Sequence, residues 1–198
     1  ILASRVRQWQ GKTYYERAVA CHPGVLAKQT KKFSHGPKVN YFPWAASDDE
    51  VSTEGAGKGA STIIVPWMKG NTYPMTCTWS EKAGRYQRSM PWGKHVMADG
   101  VRISTDNVLV IKAKQVFGKV YRSGKIVPNY GGNDEPIHEI INNKGTFYYA
   151  HGGKYVTGTW TKGAVDELFE FTLADGSPLK MAPGKTWVEL PNNTTKIT

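Results

Sequence analysis

The sequence predicts a mainly β protein, α+β overall: an antiparallel β sandwich or barrel-like domain with a short helical N-terminal segment. Three observations carry that expectation. Strand-length runs rich in β-branched and aromatic residues recur after residue 61. Turn signals separate them at spacings of about 8–12 residues, the pattern of an all-β sandwich or barrel. The longest apolar runs, such as Ile63-Ile64-Val65, fall far short of the roughly 18–20 residues a membrane-spanning helix needs. Hydrophobic residues make up 39% of the 198, with seven Trp, ten Tyr and six Phe, which excludes disorder for the bulk of the chain. Glycine and proline are frequent but not periodic, which excludes collagen-like and low-complexity classes.

In chain order, the first element expected is helical. Leu2, Val6 and Trp9 fall at i, i+4 and i+7 and would share one helical face before Gly11. A second helix is expected after Pro23-Gly24, with Val25, Leu26 and Phe33 as its apolar points, ending near His35-Gly36-Pro37. Residues 1–40 thus read as a basic, partly helical segment. Residues 41–60, with Asp48-Asp49-Glu50 and the run Gly55-Ala56-Gly57-Lys58-Gly59, read as a linker or loop. A β domain then spans 61–191, and 192–198 form a tail. Strands are expected over Thr62–Trp67, Met75–Ser80, Arg85–Met90, Asn107–Lys114, Gln115–Tyr121, Gly145–Ala150, Tyr155–Thr161, Leu168–Leu173 and Thr186–Leu190. Turns are expected at Lys82-Ala83-Gly84, Asp99-Gly100, Ser123-Gly124, Gly131-Gly132-Asn133, His151-Gly152-Gly153, Asp175-Gly176 and Pro183-Gly184. Strands this close in sequence favour antiparallel pairing, because parallel neighbours need crossovers of a dozen or more residues.

The formal charge of +10 is unevenly spread. Residues 1–38 hold eight Lys/Arg, among them Arg5, Arg7, Lys28, Lys31 and Lys32, against the single acid Glu16. An anionic partner would therefore meet the N-terminal segment first. The alternative is that these cations solvate a surface. Nucleic acid is disfavoured, since the basic cluster is short and no RNA- or DNA-binding signature accompanies it.

Motifs for catalysis fail one by one. Lys58 is followed by Gly59 rather than Ser/Thr, so the glycine run is no phosphate loop. His138-Glu139 begins like a zinc-protease motif but has Asn142 where the second ligand must stand. Neither a metal site nor a cofactor is implied, and no residue is assigned as catalytic. His95 and Asp99 share a short segment and would serve as base and orienter; the competing reading is a loop histidine with a local hydrogen bond. Cys21 and Cys77 form either one disulfide or two buried thiols. Three Pro-Trp pairs, at Trp44, Trp67 and Trp92, offer flat faces for stacking or close the ends of a β core; the second is the preferred reading. Arg85 and Arg88, three apart on one strand, point to opposite faces, and Arg88 shares its face with Tyr86 and Met90.

The stretch Thr78-Trp79-Ser80-Glu81-Lys82-Ala83-Gly84-Arg85-Tyr86-Gln87-Arg88, then Trp92-Gly93-Lys94-His95-Val96 and Asp106-Asn107-Val108-Leu109-Val110, resembles the YerB-type bacterial lipoprotein family. So do Gly152–Lys162, Phe171–Leu179 and Pro183-Gly184-Lys185-Thr186-Trp187-Val188-Glu189, in the same order. The resemblance spans roughly residues 61–191 and leaves the first 60 unmatched. It implies an exported, lipid-anchored envelope protein of unknown function, its anchor lying upstream of residue 1. The expected function is thus a non-enzymatic, extracytoplasmic binding or scaffolding domain whose partner is an envelope protein or an anionic wall polymer. Arg88, Tyr86, His95, Asp99 and Trp92 are the candidate ligand-binding residues. The alternatives are an enzyme acting on wall polymer, with His95, Asp99 and Arg88 in one cleft, and a nucleic-acid-binding protein using the basic segment.

Overall fold

The computed structural model describes residues 2–4, 8–9, 12–13, 19–21, 23–29, 35, 39–67, 69–70, 73–97, 99–120, 126–128 and 135–198. The chain divides into two compact units, Ile1–Asn40 and Tyr41–Thr198.

In the first unit, β1 (Leu2–Ser4) pairs antiparallel with β4 (Val19–Cys21), and β2 (Gln8–Trp9) with β3 (Lys12–Thr13). This corrects the helix expected from Leu2, Val6 and Trp9: the segments at both ends of that pattern are strands. An isolated helix of fewer than about 12–15 residues is marginal, and cross-strand partners satisfy the same backbone groups. A helix does follow at Pro23, but α1 (Pro23–Ala27) is a single short turn. Proline suits the first helical position, while Gly24 and β-branched Val25 propagate a helix poorly. Of the basic residues, Lys28 is exposed just after α1, whereas Arg5, Arg7, Lys31 and Lys32 lie outside the described residues, as do Val6 and Phe33.

The second unit is built of largely antiparallel sheets. Its elements are α2 (Ser52–Ala56), β5 (Lys58–Gly59), β6 (Thr62–Val65), β7 (Met75–Ser80), β8 (Arg85–Met90), β9 (Gly93–Lys94), β10 (Ser104–Thr105), β11 (Asn107–Ile111), β12 (Gln115–Val120), β13 (Ile126–Pro128), β14 (Glu135–His138), β15 (Asn143–His151), β16 (Lys154–Lys162), β17 (Phe169–Leu173) and β18 (Thr186–Glu189). The first sheet runs β10-β8-β7-β6, with β9 also on β8. The second runs β17-β16-β15-β11-β18, with β5 on β16. A small third sheet runs β13-β12-β14. Of the two architectures expected, the packed sandwich is the one formed; no sheet closes into a barrel among the described residues. β18 joins β11 in parallel, the one non-antiparallel pair among the named strands.

The hairpin expected around residue 151 is the longest feature of the fold, with β15 and β16 in register from Asn143 opposite Lys162 to His151 opposite Lys154. Gly152 and Gly153 form its two-residue turn at φ +61° and +73°. Two consecutive positive φ values define the turn whose twist matches the strands, and glycine adopts them without a Cβ clash.

Two cores result. Ile63, Val65, Cys77 and Tyr86 of the first sheet meet Val108, Val110 and Ala150 of the second. The opposite face of the second sheet buries Leu109, Ile111, Phe147, Tyr149 and Trp160 against Ala45, Val51, Leu179 and Met181. β11 is therefore covered on both faces, and its sequence Asn-Val-Leu-Val-Ile is buried throughout. Fully buried strands read as continuous apolar runs, which is how this one reads.

Residues 41–60 are not a linker. Ala45 and Met181 tie this segment to residues 177–183 through Ala45 N–H to the Met181 carbonyl and Met181 N–H to the Pro43 carbonyl, both 2.8 Å. Val51 and Thr53 are buried, so the acidic and glycine-rich text forms a short 3-10 turn and α2 that cover the second sheet. Nor are residues 192–198 a free tail. Asn193 donates to the Ala113 carbonyl, Thr195 is buried, and Thr198 and Ile64 exchange both backbone hydrogen bonds along the edge of β6. Polar composition misleads in both places because the backbone, rather than the side chains, supplies the pairing.

Candidate functional site

β8 alternates, as its sequence requires: Tyr86 and Arg88 turn inward while Arg85, Gln87 and Ser89 turn outward. Arg85 is largely exposed and donates from Nε to Asp106 at 2.8 Å. Arg88 is 5% exposed and lies between the sheets, where a charge must be paired. Its partner is Glu189 of β18, 3% exposed, whose Oε1 accepts from Arg88 Nε at 3.1 Å and Nη2 at 3.0 Å. The same oxygen accepts Trp187 Nε1–H at 2.8 Å. The guanidinium lies over the Trp187 ring, 4.3 Å from its centroid, so the indole supplies a donor to the carboxylate and a π-face to the cation.

Arg88 Nη1 reaches Met90 Sδ at 2.8 Å and His95 Nδ1 at 2.9 Å. A guanidinium has no acceptor, so Nδ1 is the unprotonated nitrogen and the ring is the neutral Nε2–H tautomer. His95 also sits edge-on to Trp187, with centroids 5.7 Å apart. Burial pulls its pKa below the ordinary 6.5, and the positive charges of Arg88 and Arg102 act in the same direction. Cys77, directly opposite Arg88 on β7, is a free buried thiol pushed up to about 12, first by burial and then by Glu189. Of the two states the sequence leaves open for it, it holds the free thiol; the Cys21 side chain lies outside the described residues.

The other candidates sit elsewhere or are already engaged. Tyr86 is fully buried, donates its hydroxyl to the Ala60 carbonyl at 3.0 Å, and meets Trp79 edge-on. Asp99 stands at the tip of the 95–103 hairpin, where Oδ1 accepts the Val101 N–H at 3.0 Å. Trp92 is 74% exposed in the turn between β8 and β9. The three tryptophans of the Pro-Trp pairs occupy different environments: Trp44 bridges to Met181, Trp67 accepts from Asn192 through its carbonyl, and Trp92 faces solvent. Only Arg88 and His95 of the five candidates are brought into direct contact. An apolar cavity of about 140 Å³ lies elsewhere between the sheets, lined by Ile63, Val108, Val110, Tyr148, Tyr155 and Ile197; none of the five lines it.

Glu189 and Trp187 carry the site and were not singled out from sequence. The signal was present: an arginine on the inward face of a strand demands a buried carboxylate. Trp187 and Glu189, two apart on a strand, share one face. A second polar network sits nearby. Asn107, fully buried at the start of β11, donates to the Ala182 carbonyl at 2.8 Å and accepts the Tyr149 hydroxyl at 2.7 Å, while that hydroxyl accepts the Ala182 N–H at 2.8 Å. It anchors residues 177–183 and thereby the covering layer.

A two-sheet sandwich tied across its interior by one arginine–carboxylate pair is the class of protein that fold and site define. The chain belongs to the family described as protein of unknown function (DUF3048), C-terminal domain, whose model matches residues 63–188. Among solved structures it is similar to the YerB protein from Bacillus subtilis, with a TM-score of 0.51 and 17% identity over 69% of this chain. That likeness is one of fold, and the chain covers 43% of the YerB structure's own length. No curated protein matches the chain.

Proposed function

We propose that the chain is a non-enzymatic binding or scaffolding domain of the bacterial cell envelope, working outside the cytoplasm. Its partner is another envelope protein or an anionic wall polymer, and a lipid anchor ahead of residue 1 holds it at the membrane. The observation that carries this reading is the closed character of the Arg88 cluster. Arg88, Trp187 and Glu189 Oε1 are bonded to one another between the sheets and His95 Nδ1 caps the arginine, which favours a structural tie over a reaction centre. His95 meets an arginine rather than a carboxylate, so the orientation a general base needs is missing, and Asp99 is engaged in its own turn. The resemblance to exported lipoproteins supports the location, and the basic N-terminal residues support an anionic partner. Fractionation of cells carrying the full-length protein tests the location: recovery with membrane or wall is expected, and a purely cytosolic distribution would overturn it. Co-sedimentation with purified walls, with and without their anionic polymer, then separates the two partners.

A further inference from the structure

The outward face of β8 carries a charge that no described residue neutralises. Arg102, bridged to Val96 in the 95–103 hairpin, donates from Nη2 to Ser89 Oγ at 2.9 Å. Its Nε and Nη1 are enclosed, yet neither has a hydrogen-bond partner. No carboxylate pairs with it among the described residues, since Glu189 is committed to Arg88 and Asp99 to the Val101 N–H. A buried N–H left unsatisfied is costly, more so on a charged group, so a retained one calls for an explanation.

Strand register says what surrounds it. Ser89 lies directly opposite Lys94 on β9 and opposite Thr76 on β7. Cross-strand partners project from the same face, so Lys94 and Thr76 flank the serine that Arg102 touches. Two cations and two hydroxyls thus gather on one patch, and among the described residues no carboxylate pairs with either cation. Lys94 is exposed and Arg102 partly covered, so the patch stays open to solvent on one side.

We propose that this patch binds a phosphate group, with Arg102 turning its enclosed nitrogens outward as the main donor, Lys94 as a second, mobile cation, and the Ser89 and Thr76 hydroxyls as secondary donors. A tetrahedral oxyanion fits better than a carboxylate, because the donors approach from β7, β9 and the hairpin, and a planar group presents only two oxygens. The site lies on the opposite face of β8 from the Arg88 cluster and does not depend on it. It deepens the reading of an anionic wall polymer as partner, and rests on that reading only for where the phosphate comes from.

The test is a titration of the full chain with inorganic phosphate, followed by the NMR resonance of the Arg102 Nε–H group and by calorimetry. A saturable shift with a midpoint of ~1–10 mM is expected, a binding free energy only a few kT deep. Arg102→Gln should abolish saturation, and Lys94→Gln should weaken binding about two- to fivefold, as for an exposed ion pair. No saturable shift at Arg102, or equal binding by Arg102→Gln, overturns the site. If Arg102→Gln fails to fold, Lys94→Gln decides: undiminished affinity overturns the proposal. A second arm uses a short poly(glycerol phosphate) oligomer. Tighter binding per phosphate through the same residues assigns a polymer source, and weaker binding assigns free phosphate. Phosphate binding by a protein found in the cytosol would keep this site while overturning the envelope reading.

Discussion

Glu189→Ala is the most informative perturbation of the sandwich. It removes the one oxygen, Oε1, on which Arg88 Nε, Arg88 Nη2 and Trp187 Nε1 converge at 3.1, 3.0 and 2.8 Å. What remains is a guanidinium of 5% exposure whose described hydrogen-bond partners are a thioether and a neutral imidazole, with the Trp187 ring beneath it. Breaking a buried pair from one side costs about 3–5 kcal/mol, because the surviving charge is stranded in a medium that solvates it poorly. With a urea m-value of about 2 kcal/mol/M for a unit of this size, the unfolding midpoint should fall by about 2 M. The double variant Arg88→Met with Glu189→Leu removes both charges and keeps the volume, so it should recover to within about 1 kcal/mol of the parent. Urea unfolding followed by tryptophan fluorescence reads all of these, with the unchanged m-value as the check on two-state behaviour. A loss below about 1 kcal/mol for Glu189→Ala, the range of an exposed pair, would refute the reasoning. So would a double variant as unstable as the sum of its parts.

Three further outcomes follow from the same structure. Cys77, with its thiol pushed up to about 12, should resist a thiol reagent at pH 8 in a Cys21→Ser background and react only once urea unfolds the chain; prompt native labelling would contradict its burial. Tyr149→Phe removes a hydroxyl that both donates to Asn107 and accepts from Ala182, and should cost about 1–3 kcal/mol by thermal or urea unfolding. His95 and His138 both have folded pKa values below their ordinary 6.5, so the unfolded chain binds protons first as pH falls. Their contribution to stability is therefore complete above about pH 6.5 and is lost as pH drops through the folded values. Unfolding free energies measured from pH 8 to pH 5 should decline below 6.5, and His95→Gln should flatten that decline.

Strand and turn chemistry was legible because it is local. β7 and β8 match their expected bounds at Met75–Ser80 and Arg85–Met90. The hairpin turned by Gly152 and Gly153 was visible from two glycines between alternating strands. The opposed directions of Arg85 and Arg88 followed from the two-residue period alone. Elements whose pattern is ambiguous were misread. Leu2–Ser4 and Gln8–Trp9 fit a helical spacing but pair as strands, and β14 contains Pro136, which argues against a strand in any local reading. Residues 41–60 and 192–198 looked like solvent-exposed text, yet they bury Val51, Thr53 and Thr195 through backbone bonds that composition does not encode.

The sequence by itself determined the β class, most of the strands, the family, and that Arg85 and Arg88 face opposite ways. Tertiary structure alone decided which carboxylate meets the inward arginine, for Arg88 and Glu189 are 101 residues apart. It also decided that Asp99 spends its oxygen on a turn while Arg102 keeps two enclosed nitrogens without partners among the described residues. The physical reason is range. Backbone propensity and side-chain period act over a few residues, whereas the neutralisation of a buried charge depends on which strands the packing of two sheets brings face to face.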